Sequence, residues 1–229
     1  SIYKKAFSLL RKYSKSSAAR YKVKEAILEL GPTGYPFEKF VAEILRYQGY
    51  RTNVGIVVQG NCVTHEIDVE AYKDDRHYMI ECKFHNRKGY KCDVKIPLYI
   101  KSRFDDVRKQ WQKHVDHQDK FHEGWIVTNT RFTDDAIQFG KCSGLRLIGW
   151  DYPQRGSLSD RINMSGLHPL TCLTSLSKAE KQQLIDMSIV LSRDLYENPS
   201  LLDKIGISEK RINKIVLEGR EICEEARRG

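Results

Sequence analysis

Asp68 and Glu81 each interrupt an apolar run, Ile67-Asp68-Val69 and Ile80-Glu81-Cys82, and Lys83 follows the second acid by two positions. Carboxylate oxygens are the donors a hard cation such as Mg²⁺ prefers. A lysine beside them can orient a water or stabilise charge that develops on a phosphorus-bound oxygen. Such a set suits hydrolysis of a phosphodiester, in which a divalent cation neutralises phosphate charge and lowers the pKa of the attacking water. An acid-x-lysine triplet alone is common on solvated strand faces. Here both acids sit among apolar residues, where a charge is costly unless it is paired or bound to metal.

Three elements must position these side chains. Val54, Ile56 and Val58 alternate along a first strand, Gly60-Asn61 forms a turn, and residues 63–72 form a second strand carrying Asp68. Asp74-Asp75 marks the next turn, before a third strand at 77–83 with Glu81 and Lys83 on one face. A hairpin of these strands can bring Asp68 beside Glu81 and Lys83. Upstream, Pro36 suits the first turn of a helix whose stripe is Phe37, Phe40, Val41, Ile44 and Leu45. Glu38 and Glu43 lie off the centre of that stripe, and Glu43 reads as an ordinary solvated acid.

The stretch 85–103 carries Arg87, Lys88, Lys91, Lys95, Lys101 and Arg103 against one acid, Asp93, and reads as a basic loop able to hold a phosphate backbone. A helix from Phe104 to about position 118, a strand at 125–128, a helix capped by Thr133 and a last strand at 145–148 complete the pattern. A meander followed by helix, strand, helix and strand implies an α/β mixed sheet with helices on its faces. Residues 151–159 read as a linker, and the tail beyond them as an all-α domain of four or five short helices. Two further helical patterns precede residue 32. The expected domains are therefore 1–32, 33–151 and 160–229.

The chain has 229 residues, 40% of them hydrophobic and 30% charged, with 39 basic against 30 acidic residues and a net charge of +9. A basic protein of this size has a plausible polyanion partner through counterion release. Its six cysteines show no C-x-x-C pair, as expected of reduced thiols in the cytoplasm. No run approaches the roughly 20 apolar residues of a membrane span, so no membrane partner is expected.

Five separate pieces carry a family resemblance. They are the run from Gly34 to Leu45, Gly49-Tyr50, Glu66-Ile67-Asp68-Val69, Ile80-Glu81-Cys82-Lys83, and Val127-Thr128-Asn129 with Phe132 to Ala136. In this order they resemble the Mrr-like branch of the PD-(D/E)xK restriction endonucleases. The resemblance implies a restriction-endonuclease-like core in which Asp68, Glu81 and Lys83 are catalytic and Glu38 completes the site. It implies Mg²⁺ or Mn²⁺ on Asp68 and Glu81, and DNA as substrate. Ile67 stands where the family has a proline. Residues 2–32 are similar to the end of an ATP-cone domain, and residues 201–208 resemble a helix-hairpin-helix turn, with Ser208 in place of a second glycine.

Other chemistries fit less well. His65-Glu66 lacks the second histidine of a zincin, because Val69 stands in its place and the segment is β. His114, His117 and His122 read as a solvated helix face, and His85-Asn86 lacks the partner histidine of a ββα-metal nuclease. Thr128 and Asn129 fall at a strand end, near the site or as a cap. No Walker A lysine or Ser-His-Asp set is present. The competing class is a catalytically silent DNA-binding adaptor on the same fold. Within the enzyme class, a modification-dependent restriction enzyme and a branched-DNA resolvase would share these residues, and a homodimer would suit duplex cutting.

Overall fold

The computed structural model of the protein describes residues 23–113 and 121–226. Thr33–Arg161 form one compact unit, and the segments on either side of it form a second. The first helical pattern of the sequence, at 2–13, and most of the ATP-cone-like stretch lie outside the described residues. The first described helix, α1 (Val23–Leu28), belongs to the second unit.

The Thr33–Arg161 unit opens with α2 (Tyr35–Tyr47), which has Pro36 in its first turn and buries Phe37, Phe40, Val41, Ile44 and Leu45. Strands β1 (Arg51–Gln59), β2 (Thr64–Lys73) and β3 (Arg76–Lys83) follow as an antiparallel meander. After the short β4 (Lys91–Cys92), α3 (Lys95–Trp111) crosses over to β5 (Phe121–Thr128), which is parallel to β3. The short β6 (Arg131–Phe132) pairs with β4. Helix α4 (Asp134–Ser143) then returns the chain to β7 (Arg146–Ile148), parallel to β5. The result is a mixed five-stranded sheet in the order β1-β2-β3-β5-β7, flanked by helices. Ile67, Met79 and Ile126 from the sheet pack with Ile100, Phe104, Val107 and Trp111 of α3 and with Ala136 of α4.

Local chemistry accounts for the corners. Thr133 caps α4 by accepting the Ala136 N–H, which satisfies an amide the helix cannot. Asp74 and Asp75 take positive φ in the β2–β3 turn, a conformation that short polar side chains tolerate. At the β1–β2 turn a Cβ on Gly60 would lie 2.2 Å from Asp106 Oδ2. That carboxylate, projecting from α3, accepts the amides of Cys62 at 2.9 Å and Val63 at 3.3 Å and meets His65 Nε2 at 2.8 Å. The hairpin is thereby tied to α3, and only glycine leaves room for the tie.

Four sequence expectations are corrected. The basic stretch 85–103 is not one loop: it contains β4, and residues 95–103 begin α3. Pro97 in the first turn of α3 does not interrupt it, because the amide it lacks has no partner there in any case. Helix α3 ends at Trp111 rather than near 118, and His122 is a buried residue of β5, not part of a solvated helix face. His114 and His117 lie outside the described residues. Residues 151–159 are no free linker either. Gly149 N–H bonds to Tyr152 O at 2.7 Å, Leu158 N–H to Gly149 O at 2.9 Å, and Ser159 N–H to Trp150 O at 3.1 Å. The division between units falls within α5 (Leu158–Ser165), after Arg161.

In the second unit a 3₁₀ turn (Leu170–Cys172) precedes α6 (Lys178–Asp186), α7 (Ser192–Glu197), α8 (Ser200–Asp203) and α9 (Glu209–Ala226). Thr171 Oγ1 donates to Ala26 O of α1 at 2.6 Å. Ser177 and Glu180 form a reciprocal cap on α6. Buried Glu218 of α9 accepts the Thr174 and Ser175 amides at 2.8 and 2.9 Å. At 18 residues α9 exceeds the short helices expected. All six cysteines are free, and no helix among the described residues is long and apolar enough to cross a membrane.

Candidate active site

The ladder between β2 and β3 runs from Lys73↔Arg76 to Val69↔Ile80 and stops. Beyond it β2 continues beside β1 through Ile67↔Ile56. Strand β3 continues beside β5 through Glu81↔Ile126 and Lys83↔Thr128. The two strands therefore part at Asp68 and Glu81, and side chains bridge the fork. Asp68 Oδ2 accepts the Cys82 N–H at 2.7 Å, taking the place of a ladder bond. Glu81 is buried and held at both oxygens, with Lys83 Nζ 2.6 Å from Oε1 and Arg103 Nη1 2.7 Å from Oε2. Through Nη2, Arg103 also donates to the backbone carbonyl of Glu66.

Negative charge is concentrated at this fork. Burial, then Glu81 beside it, pushes the Asp68 carboxyl up from its ordinary 3.8 to about 6, against the Cys82 amide, Lys83 and Arg103. Burial and then Asp68, Glu66 and Glu81 push Glu38 of α2 up from 4.5 to about 7, with Lys83 opposing. Since Glu38 responds to all three acids, the structure brings it to Asp68, Glu81 and Lys83. Glu43 instead pairs with Arg46 on the outside of α2. Cys82 is buried beneath these acids, so its thiol is held well above the ordinary range by burial, then Asp68 and Glu38. It is a packing residue, not a nucleophile.

The six basic residues proposed from sequence separate into two groups. Arg87, Lys88, Lys91 and Lys95 are exposed on the segment between β3 and α3 and on the first turn of α3. Lys101 is ion-paired with Asp105 one turn along, and Arg103 faces inward to Glu81. Sequence reasoning placed Arg103 among phosphate contacts and missed it as part of the acid site. Its signal was helical: Ile100, Phe104 and Val107 form the buried stripe of α3, and 103 borders that stripe. Glu66, one of the three acids acting on Glu38, was passed over as well.

Residues after Lys83 are held in place from β5. Asn129 accepts the His85 amide at 2.9 Å and donates to the His85 carbonyl at 2.7 Å. Thr128 Oγ1 donates to Lys83 O at 2.7 Å. Both residues are buried, so they act on the site through the backbone. The His85 ring stacks on Tyr90, and its pKa is lowered by burial and by Lys83.

Among the described residues no group of three His, Cys, Asp or Glu side chains is gathered in a form that could hold a metal ion by itself. The donor set still fits one kind of cation. Mg²⁺ and Mn²⁺ bind through carboxylate oxygens, and Mg²⁺ uses one or two carboxylates while keeping much of its water. Asp68 and Glu81 are such a pair, and the raised pKa of Asp68 and Glu38, due first to burial and then to the neighbouring acids, describes charge that a divalent ion would relieve. Each carboxylate oxygen has a second lone pair, so the bonds to Lys83, Arg103 and Cys82 leave capacity for coordination.

A restriction endonuclease family model, the Mrr catalytic domain, matches residues 31–152. A second family model, AF1548-like, C-terminal, matches residues 168–223. A protein of Archaeoglobus fulgidus described as uncharacterized is 35% identical over 183 residues, which span 80% of this chain and 99% of that protein. The crystal structure of AF1548, a protein of unknown function, is similar with a TM-score of 0.69 and 34% identity, over 84% of this chain and 100% of that chain.

Proposed function

We propose, from the premise that this chain belongs to the restriction endonuclease family, that it is an endonuclease hydrolysing DNA with Mg²⁺ or Mn²⁺. The observation that carries this reading is the convergence of Asp68, Glu81 and Lys83 where β2 and β3 part. Asp68 and Glu81 would hold the cation, which supplies charge neutralisation and a water of lowered pKa. Lys83, its side chain 29% exposed and its Nζ on Glu81 Oε1, can orient the water or take up charge on the phosphoryl oxygens. Glu38 completes the acid cluster. Arg87, Lys88, Lys91 and Lys95 hold the phosphate backbone, with DNA affinity falling as salt rises.

The second unit offers a further backbone contact. Gly206, at φ 77, turns the chain between α8 and α9, and a helical hairpin of this kind can bind phosphates through its loop amides. Cutting both strands of a duplex would call for two copies of the chain, which sedimentation on a cleavable duplex would register. A silent DNA-binding adaptor is favoured by one feature, the ion pairing already present on both oxygens of Glu81.

Plasmid, methylated and branched DNA incubated with the purified protein and Mg²⁺ or Mn²⁺ separate these readings. Metal-dependent cleavage lost in Asp68→Ala and in Lys83→Ala is the expected result. Undiminished cleavage in those variants rejects the site, and salt-sensitive DNA binding without any cleavage selects the adaptor.

A further inference from the structure

We propose that Arg103 is a positioning residue that braces Glu81 of β3 to β2 across the fork and so fixes the Asp68–Glu81 gap for a divalent cation. The inference rests on the nuclease reading of the same site. Past Val69↔Ile80 no ladder bond joins β2 to β3, so the relative position of the two acids depends on side-chain bridges. Two bridges are present. One is the short bond from the Cys82 amide to Asp68. The other is Arg103, which reaches Glu81 Oε2 with one nitrogen and the Glu66 carbonyl with another. Glu66 lies two residues before Asp68, so this bridge ties the acid on β3 to the backbone that carries the acid on β2.

The brace is anchored on a rigid element. Arg103 sits in α3 between Ile100 and Phe104, both buried in the core, and its guanidinium lies 5.5 Å from the Tyr99 ring centroid. Its side chain is 14% exposed, against 29% for Lys83. A residue that grasps phosphate needs free donors directed at solvent, whereas two of the three Arg103 nitrogens are already bonded to Glu81 and to the Glu66 carbonyl. Only a planar guanidinium presents a fork that reaches a carboxylate and a carbonyl together, and an ammonium is a single point charge. Lys83, on the other oxygen of Glu81, cannot replace it, because it springs from the same strand as Glu81 and ties nothing to β2.

The test follows Mn²⁺ uptake by the full chain, using calorimetry and electron paramagnetic resonance. Wild type is compared with Arg103→Ala, Arg103→Lys and Lys109→Ala, the last an exposed position of the same helix. Arg103→Ala is expected to lose about 10- to 100-fold in Mn²⁺ affinity, the usual effect of removing a residue that orients a metal ligand. Arg103→Lys recovers part of the loss, and Lys109→Ala matches wild type. On DNA, kcat falls while KM and the salt dependence stay put. A phosphate contact would instead raise KM and flatten the salt dependence. Should Arg103→Ala fail to fold, Arg103→Gln carries the same comparison. If wild type takes up Mn²⁺ and Arg103→Ala binds it within two-fold, or if only KM moves, the brace is rejected. If wild type takes up no Mn²⁺, the nuclease reading fails and the brace fails with it.

Discussion

Replacing Asp68 by asparagine should make the metal-free protein more stable at pH 8, although it removes a residue assigned to the active site. The carboxyl is pushed from its ordinary 3.8 to about 6 by burial and by Glu81. Below about pH 4 it is protonated in the folded and the unfolded chain alike, and its environment costs nothing. As pH rises toward 6 the unfolded chain gives up the proton first, so folding loses stability, and above that range the whole loss is present. At 1.36 kcal/mol per pH unit the ceiling is about 3 kcal/mol. Asp68 is only half-buried, and solvent screening lowers this to about 1–2 kcal/mol. For a protein of this size that corresponds to a Tm rise of about 2–8 °C. Asparagine keeps a carbonyl oxygen for the Cys82 amide, so the comparison isolates charge. Melting curves in EDTA from pH 4 to pH 8 should show the two proteins converging at the acid end. Saturating Mn²⁺ should reverse their order, since ligand at 100 times its Kd adds about 2.7 kcal/mol to wild type alone. An asparagine variant no more stable at pH 8, or a gap independent of pH, would refute the reasoning.

Four further outcomes can be measured directly. Mn²⁺ uptake should release protons at pH 6 and fewer at pH 8, because Glu38 near 7 and Asp68 near 6 must both ionise; calorimetry in buffers of different ionisation enthalpy reads this. Asn129→Ala removes both bonds that hold the His85 backbone and should cost about 1–3 kcal/mol, with faster hydrogen exchange at the His85 amide. Gly60→Ala forces its Cβ onto Asp106 Oδ2 and to 2.6 Å from the Val63 carbonyl; urea unfolding should show a loss of about 1–3 kcal/mol, and a loss under 0.5 kcal/mol counts against the tie between hairpin and helix. In the helical unit, burial raises the Glu218 carboxyl, but bonds from Ser175 and Thr174 more than offset it and hold it below 4.5. Its contribution is therefore present above that pH and lost in more acidic solution, and Glu218→Gln should cost about 1.5–3 kcal/mol at pH 7.

The elements legible in the sequence are those in which burial imposes a period. Alternation in β1 and β2, the stripe of α2 and the Thr133 cap all reappear in the structure, because each is decided by neighbours within a few residues. Helix α3 was obscured by its own chemistry. Val94 precedes it without a side-chain cap, and six basic residues from Lys91 to Lys109 masked the spacing of Ile96, Ile100, Phe104, Val107 and Trp111. The stretch at 151–159 looked loose because Pro153, Gly156 and the serines favour turns. Backbone bonds to residues 149 and 150 hold it, and composition does not record them.

The candidate site divides in the same way. Asp68, Glu81 and Lys83 could be grouped because two-residue periodicity and hairpin pairing are local rules. What those rules could not supply is the end of the ladder at Val69↔Ile80, past which β2 runs on beside β1 and β3 beside β5. Parting the strands gives an acid pair room for a cation, but it also removes the hydrogen bonds that would fix their separation. That loss has to be made good from outside the hairpin, and α3 is the element packed against it. An arginine on the border of that helix's buried stripe is long enough to reach both strands and planar enough to bond each of them. Hence the basic stretch divides by environment: Arg87, Lys88, Lys91 and Lys95 face solvent, and Arg103 faces the acids.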